Sequence, residues 1–209
     1  RLFFGISAGA MDSMVNHYTA NKRLRSDDAY TPNGRHGMRP DYPTIVYSRI
    51  LKELYPDVPV VIGGIEASMR RLTHYDYWQD KLLPGILAEC PADLLIYGMG
   101  ERPVVKIARR LQRGESIDQL TDIPQTAVIR PRAMMPSTTE DEHNIVLASH
   151  EECLQHKRKQ AENFRHIEEE SNKYHAKRLW QSVGERVIRV SPPYPPMTEA
   201  ELDASLDLP

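Results

Sequence analysis

Val58–Arg71, VPVVIGGIEASMRR, decides how the rest of the chain is read. A continuous apolar run from Val58 to Ile62 meets Gly63 and Gly64, then Glu66, then the adjacent Arg70 and Arg71. A short apolar run closed by glycines reads as a strand buried on both faces, the pattern of a parallel sheet. The glycine pair removes two side chains where the backbone turns, and it lets a ligand come close to the main chain. Two readings follow. One is a ligand loop at the carboxyl edge of the sheet. The other is a plain turn between strand and helix, which the pair alone favours because two glycines form no specific motif.

A second stretch repeats the arrangement. Ala92–Gly98 is another strand, and it ends in YGMGERP, with Gly98, Gly100 and Glu101. Glu101 falls in the first turn of the following helix, where the helix dipole favours a carboxylate with or without a ligand. The spacing is neither the dinucleotide fingerprint nor a P-loop.

Working outward, Leu2–Gly9 is a buried strand with a glycine-punctuated end, and Ala10–Ala20 fits a short helix. Residues 21–43 form a long polar loop without periodicity, a kind of loop that is usually functional inside a compact domain. Thr44–Pro56 is an amphipathic helix stopped by Pro56. Apolar residues from Trp78 to Cys90 recur at helical spacing, and Pro84-Gly85 kinks or divides that helix. HYDYW, from His74 to Trp78, reads as the edge of a core helix. Arg102–Gly114 is a helix, and Thr126–Arg130 is a further strand. This alternation belongs to an open parallel sheet covered on both faces, whose ligands sit at the carboxyl ends of the strands.

After Arg132 the pattern changes. A polar connector leads to a short strand at Ile145–Ser149. Glu151–Trp180 is charge-rich with a narrow apolar stripe, which suits one long surface helix. Glu185–Pro196 is a strand ended by prolines. Thr198 and Glu201 then form a capping box for a closing helix.

The bulk numbers exclude several classes. A net charge of -2 over 209 residues gives no general attraction to nucleic acid or to membrane surfaces. No apolar run approaches the ~20 residues of a membrane helix. Two cysteines, Cys90 and Cys153, fit a reducing cytoplasm rather than a disulfide-built secreted domain. HEEC, from His150 to Cys153, offers two metal ligands on one helical face, which do not close a tetrahedral site. No nucleophile elbow is present. In the loop, Lys22, Arg23, Arg25, Arg35 and Arg39 face Asp27 and Asp28. Mutually paired, solvated charges are the preferred reading there over a grip on phosphate or RNA. His17 in NHY reads as a packing residue or as support for a flat ligand.

Two long stretches carry a family resemblance. Phe3–Lys81, from FFGISAGAMDSMVNHY to HYDYWQDK, is similar to the amino-terminal region of the YgiQ-type radical S-adenosylmethionine proteins. ADLLIYGMGERP and SPPYPPMTEAELDASLDLP resemble later landmarks of that family. The resemblance implies an α/β domain akin to cobalamin-binding domains, followed by a radical SAM barrel of the same polypeptide. The barrel's C-x-x-x-C-x-x-C motif would hold a four-iron four-sulfur cluster that cleaves S-adenosylmethionine. This chain contains no such motif, so no catalytic residue or metal ligand is carried over to it. The chain is expected to start one or two strands into the sheet, past the loop that holds a cobalt-ligating histidine in cobalamin domains. Cobalamin is therefore left open.

The expectation is an α/β fold with an open, mostly parallel, Rossmann-like sheet, helices on both faces and a helical linker segment behind it. Residues 1–132 would form the sheet domain and 133–209 the linker toward a barrel. Gly63, Gly64, Glu66, Gly98, Gly100 and Glu101 are the candidate cofactor rim. His17, Arg35, Arg70 and Arg71 are candidate substrate contacts. The stretch alone is expected to be inactive, and the whole protein to be a cytoplasmic radical SAM enzyme of unknown substrate. The rival reading is a flavodoxin-like binding module for a nucleotide, a corrinoid or a partner protein. An RNA-binding reading on Arg23, Arg25, Arg35 and Arg39 ranks last.

Overall fold

A computed structural model describes residues 1–207; Leu208 and Pro209, the end of the predicted closing-helix stretch, lie outside the described residues. The chain runs β1 (Phe4–Ser7), α1 (Ser13–His17), α2 (Pro43–Leu54), β2 (Val60–Gly63), α3 (Gly64–Met69), β3 (His74–Asp76), β4 (Lys81–Leu83), β5 (Leu94–Ile96) and α4 (Glu101–Gln112). It continues with β6 (Thr126–Pro131), β7 (Asn144–Val146), α5 (His150–Gln155), α6 (Lys157–Ser171), β8 (Arg178–Val183), β9 (Arg186–Val190) and α7 (Glu199–Leu206). Seven strands form one sheet in the order β1-β2-β5-β6-β9-β8-β7, while β3 and β4 pair separately.

The apolar run at Val58–Ile62 is explained by burial on both faces. Val60 and Ile62 point into one core with Ile6, Leu95, Ile86 and Ile188. Val61, between them, points into the other with Leu94, Ile96, Ile107, Leu120 and Ile123. Strand residues alternate faces, so a strand sandwiched between layers cannot alternate in polarity. Each of these fully buried aliphatic side chains contributes about 1.5–3 kcal/mol. The helices therefore cover both faces, as the alternation of elements requires.

Strand direction follows the expectation through the first three strands. β1, β2 and β5 are parallel neighbours, and β9 shares their direction. The strand expected at Thr126–Arg130 enters the other way, antiparallel to β5. The chain between α4 and β6 first climbs back to the carboxyl edge, with Leu120 and Ile123 fully buried on the way. That return segment belongs to the core, and β6 starts at the edge where β5 ends.

Three readings of the sequence are corrected. Trp78–Cys90 is not a kinked helix: β3 and β4 form a hairpin, and Ile86–Ala88 is one turn of 3-10 helix. Of HYDYW, His74–Asp76 accordingly form a strand, and Tyr77 and Trp78 lie in the turn that follows. Pro84-Gly85 divides the segment, and the chain there is pressed against α3. The Ile86 N–H donates to the Arg70 carbonyl at 2.7 Å. A Cβ on Gly85 would stand 2.5 Å from Ile188 Cδ1 and 2.8 Å from the Arg71 carbonyl oxygen. Secondly, the long helix expected over Glu151–Trp180 breaks at His156 and stops at Ser171, and Arg178–Val183 is a strand. Gly184, at φ 57°, makes the tight turn into β9 that the charge-rich approach concealed. Thirdly, the sheet does not divide at residue 132. β6 pairs with β9 from Ala127↔Val190 to Pro131↔Arg186, so residues 133–209 add three strands to it rather than only a helical linker. The capping box at Thr198 and Glu201 is present as read.

Gly85→Ala is expected to destabilise the protein by about 1–3 kcal/mol, since backbone lies on the clashing side. A urea-unfolding midpoint equal to that of the parent would contradict this packing.

Candidate functional site

Parallel strands end at a common edge, so Ser7, Gly63 and Ile96 finish side by side. The glycines serve that convergence. Gly64 takes φ 80°, and a Cβ there would lie 2.5 Å from Ser7 Oγ. Gly98 takes φ 66°, and its N–H donates to Ser68 Oγ at 3.1 Å, which ties the two glycine endings together. Gly63 is extended, and Gly100 caps α4. A helix that the sequence did not reveal, α3, begins at once on Gly64 and carries the charged residues that follow.

Those residues separate by face. Glu66 and Arg70, four apart, turn inward, whereas Arg71 turns toward the edge. Glu66 is fully buried. Its Oε2 accepts from the Ser13 N–H at 3.3 Å and from the Ser13 hydroxyl; its Oε1 accepts from the Thr44 N–H at 3.3 Å. The first turns of α1 and α2 thus share one carboxylate, which fills orphan donors that neither helix satisfies itself. Arg70 stands 3.8 Å from Glu66 and donates to Asp12 Oδ2 at 2.6 Å, while Asp12 caps α1 through the Met14 N–H at 3.0 Å. Glu66, expected on the cofactor rim, and Arg70, expected as a substrate contact, hold the frame beneath the edge.

His17 and the long loop belong to the same frame. The His17 ring nitrogens face Asp41 at 3.0 Å and Asp28 at 3.2 Å, so neither is offered to a ligand. Asp28 is buried and accepts from Arg39 Nε at 2.9 Å, from Asn16 at 2.7 Å and from the Tyr30 N–H at 2.9 Å. Burial pushes its carboxyl up, but Arg39 and the two further donors outweigh burial and hold it well below the usual carboxylate range. Arg25 is spent on the Val15 and Tyr18 carbonyls, and Arg35 is exposed. The paired-charge reading of the loop holds for Arg39, although that pair is buried rather than solvated.

An open cleft of about 390 Å³ lies where the strand ends meet the chain leaving β9. Ser68, Arg71, Tyr97, Arg102, Gln125 and Tyr194 line it, with Met99 and residues 193–197 as an apolar wall. Arg71 stacks over the Tyr97 ring at 5.0 Å, and the Tyr97 hydroxyl donates to the Ser191 carbonyl at 2.6 Å. Gln125 is the knot. At φ 62° it donates through its side chain to the Met99 carbonyl and accepts from the Tyr194 N–H at 3.2 Å. Its own N–H donates to the Pro192 carbonyl at 2.7 Å. A non-glycine residue in that conformation persists only where surrounding bonds over-determine it. Gln125 and Tyr97 carried no motif that pointed to them; Tyr194 sat inside SPPYPP, legible only as a strand stop. Glu101 is exposed on α4, outside this cleft. Of the predicted contacts, Arg71 and Gly98 alone line it.

The residues present do not fit an iron–sulfur cluster. Cys90 and Cys153 are buried singly, burial raises both thiols, and Cys153 is pushed up to about 11. Among the described residues no group of three or more His, Cys, Asp and Glu side chains could hold a metal ion, and no helix is long and apolar enough to cross a membrane.

Two outcomes test the buried frame. Arg70→Met strands the Asp12 and Glu66 carboxylates and should cost roughly 3–5 kcal/mol in denaturant unfolding. Asp28 has a depressed folded pKa, so its contribution is whole above the unfolded carboxylate value of about 4 and fades as pH falls below it. Asp28→Asn should therefore be less stable at neutral pH and should lose less stability than the parent between pH values of about 5 and 2. Parallel acid-unfolding curves would refute the assignment.

Known proteins resemble the chain along its whole length. The family described as radical SAM N-terminal matches residues 1–209. A UPF0313 protein of Porphyromonas gingivalis is 66% identical over 209 residues, covering all of this chain and 33% of that protein. A UPF0313 protein of Bacteroides thetaiotaomicron is 60% identical over 220 residues, all of this chain and 35% of that protein. One from Geobacter sulfurreducens is 50% identical over 209 residues, all of this chain and 34% of that protein. The chain thus spans about a third of the length of these relatives. No solved structure matches it. With a match that runs from the first residue to the last, the chain belongs to the radical SAM N-terminal family.

Proposed function

We propose that this chain is an accessory domain that turns the carboxyl edge of its sheet toward a radical SAM barrel of the same polypeptide and supplies one wall of the chamber where substrate or cofactor binds. It is not catalytic by itself. One observation carries the reading: each segment leaving the three parallel strands, loop or helix, exposes an apolar side chain. Met11 follows β1 and is 42% exposed; Ile65 and Met69 follow β2 at 45% and 65%; Met99 follows β5 at 56%. Single exposed apolar residues are ordinary, but a series along one edge beside a cleft marks a surface that something covers. The relatives, three times as long, have the chain to cover it.

In the whole protein the cluster and S-adenosylmethionine would supply a 5'-deoxyadenosyl radical, with ligands outside this chain. The residues here would contribute shape and exclude water. Gln125 fixes the cleft's far wall, and the joined glycine endings let a neighbouring domain approach the backbone closely.

The full-length protein, reconstituted without oxygen, should show iron–sulfur absorbance and cleave S-adenosylmethionine. Absence of both would favour a binding module without radical chemistry. Met69→Glu and Met99→Glu should slow that cleavage several-fold and open the protein to limited proteolysis, because a charge at a covered apolar contact is costly. Phe164→Glu, on the exposed face of α6, should do neither. If all three variants behave alike, the carboxyl edge is not the interface.

A further inference from the structure

We infer that the cleft between β5 and the chain leaving β9 is an anion subsite for a small molecule with a carboxylate or phosphate head and a flat or apolar body, and that Arg71 is its anchor. The inference rests on the reading of this edge as the ligand-facing wall.

Arg71 is the unusual group. Among the described residues no carboxylate comes within 4.0 Å of it, whereas Arg39, Arg70, Arg102 and Arg110 each have at least one. Its Nη1 donates to the Ser68 carbonyl at 2.8 Å, its Nη2 reaches Ser171 Oγ at a marginal 3.4 Å, and its buried Nε has no partner. A guanidinium carries five donors, so most of this one's capacity is unused. Withdrawal from water lowers its pKa, and the Tyr97 ring and a more distant Glu168 offset this only in part. An arginine withdrawn from solvent with no carboxylate in contact is costly unless an anion arrives.

The surroundings select the ligand's sign and shape. Among the described residues the lining holds Arg71 and Arg102 and no Asp or Glu. Arg102 is already engaged by Glu201 and by the Pro195 carbonyl, so of these two arginines Arg71 is the one without a contacting carboxylate among the described residues. Opposite it stand Met99, Tyr194 and residues 193–197, a mostly apolar wall suited to a ring or short chain. About 390 Å³ lies within the range of small-molecule sites and is far below what a docked macromolecule needs. The frame below is fixed: the Ser68 hydroxyl donates to the Gly64 carbonyl at 2.7 Å and accepts from the Gly98 N–H, and the Tyr97 hydroxyl donates to the Ser191 carbonyl, so neither hydroxyl proton is left for the head group.

Phenyl phosphate and benzoate are suitable probes, with neutral benzamide as the control, in equilibrium dialysis against the full-length protein. Either anion should bind detectably more tightly than benzamide, and the stronger of the two identifies the head group. Arg71→Gln should weaken it by about tenfold or more, the loss of one charge-assisted contact. Arg71→Lys should restore part of it. Should Arg71→Gln fail to fold, Tyr194→Ala in the wall serves in its place and should weaken phenyl phosphate with little change in melting temperature. Equal binding of benzamide, or equal anion binding by the parent and the Arg71→Gln protein, overturns the inference. A protein that cleaves S-adenosylmethionine yet binds neither anion sinks this subsite alone. One with no cluster that still binds anions through Arg71 sinks the radical SAM reading and leaves the subsite standing.

Discussion

A single buried carboxylate organises the amino-terminal half of the molecule. Glu66 sits one turn into the helix that follows the glycine pair, and it receives the first amides of α1 and α2. Two helices that approach from different directions are registered on one side chain. Behind it Arg70 and Asp12 carry the same link back to the loop after β1. Burial makes this arrangement demanding. A carboxylate without its donors would be expelled, so the helix starts and the strand ends must occupy one geometry together. The Asp28 cluster does the same for the long loop, and its Arg39 reaches the Ala8 carbonyl at 3.2 Å to hold that loop against the exit of β1. The polar interior thus serves as a scaffold for the edge.

That division of labour explains which parts of the sequence could be read. The strands at Val58–Ile62 and Ala92–Gly98 were legible because burial on both faces leaves unbroken apolar runs, and the edge strand in Leu2–Gly9 from its apolar start and glycine-punctuated end. The helices at Thr44–Pro56 and Arg102–Gly114 were legible from periodicity and from their stops. The hairpin at His74–Leu83 was hidden, since Trp78, Leu82, Leu83, Ile86 and Leu87 mimic a helical stripe while tertiary contacts around Gly85 impose strands and a turn. Likewise β8 was masked by the charged helix before it, whereas its partner β9 was legible as a strand ended by prolines; only their pairing through the Gly184 turn was hidden. Local pattern cannot report a pairing between distant segments, and here such pairings complete the sheet.

For the candidate site, the glycine endings pointed to the edge where the strand ends meet the cleft, but not to what each charged residue there contacts. Glu66, Arg70 and Arg71 read alike in sequence. The helical step separates them, two inward to the scaffold and one outward to the cleft. His17 and Arg35, chosen by residue type, lie elsewhere: one is enclosed by carboxylates, the other exposed. Gln125 had no signal because its importance is conformational, a positive φ held by bonds to segments on either side of it in the fold.

The β6–β9 ladder has a consequence for synthesis. When the ribosome has delivered β6, its outer backbone has no neighbour until Arg186–Val190 emerges. For that interval the nascent chain carries a raw strand edge, the kind of template on which chains stick to one another. Folding of this domain is therefore gated late, by the arrival of β9 at its far end, and it should depend on chaperone shelter more than its size alone would suggest.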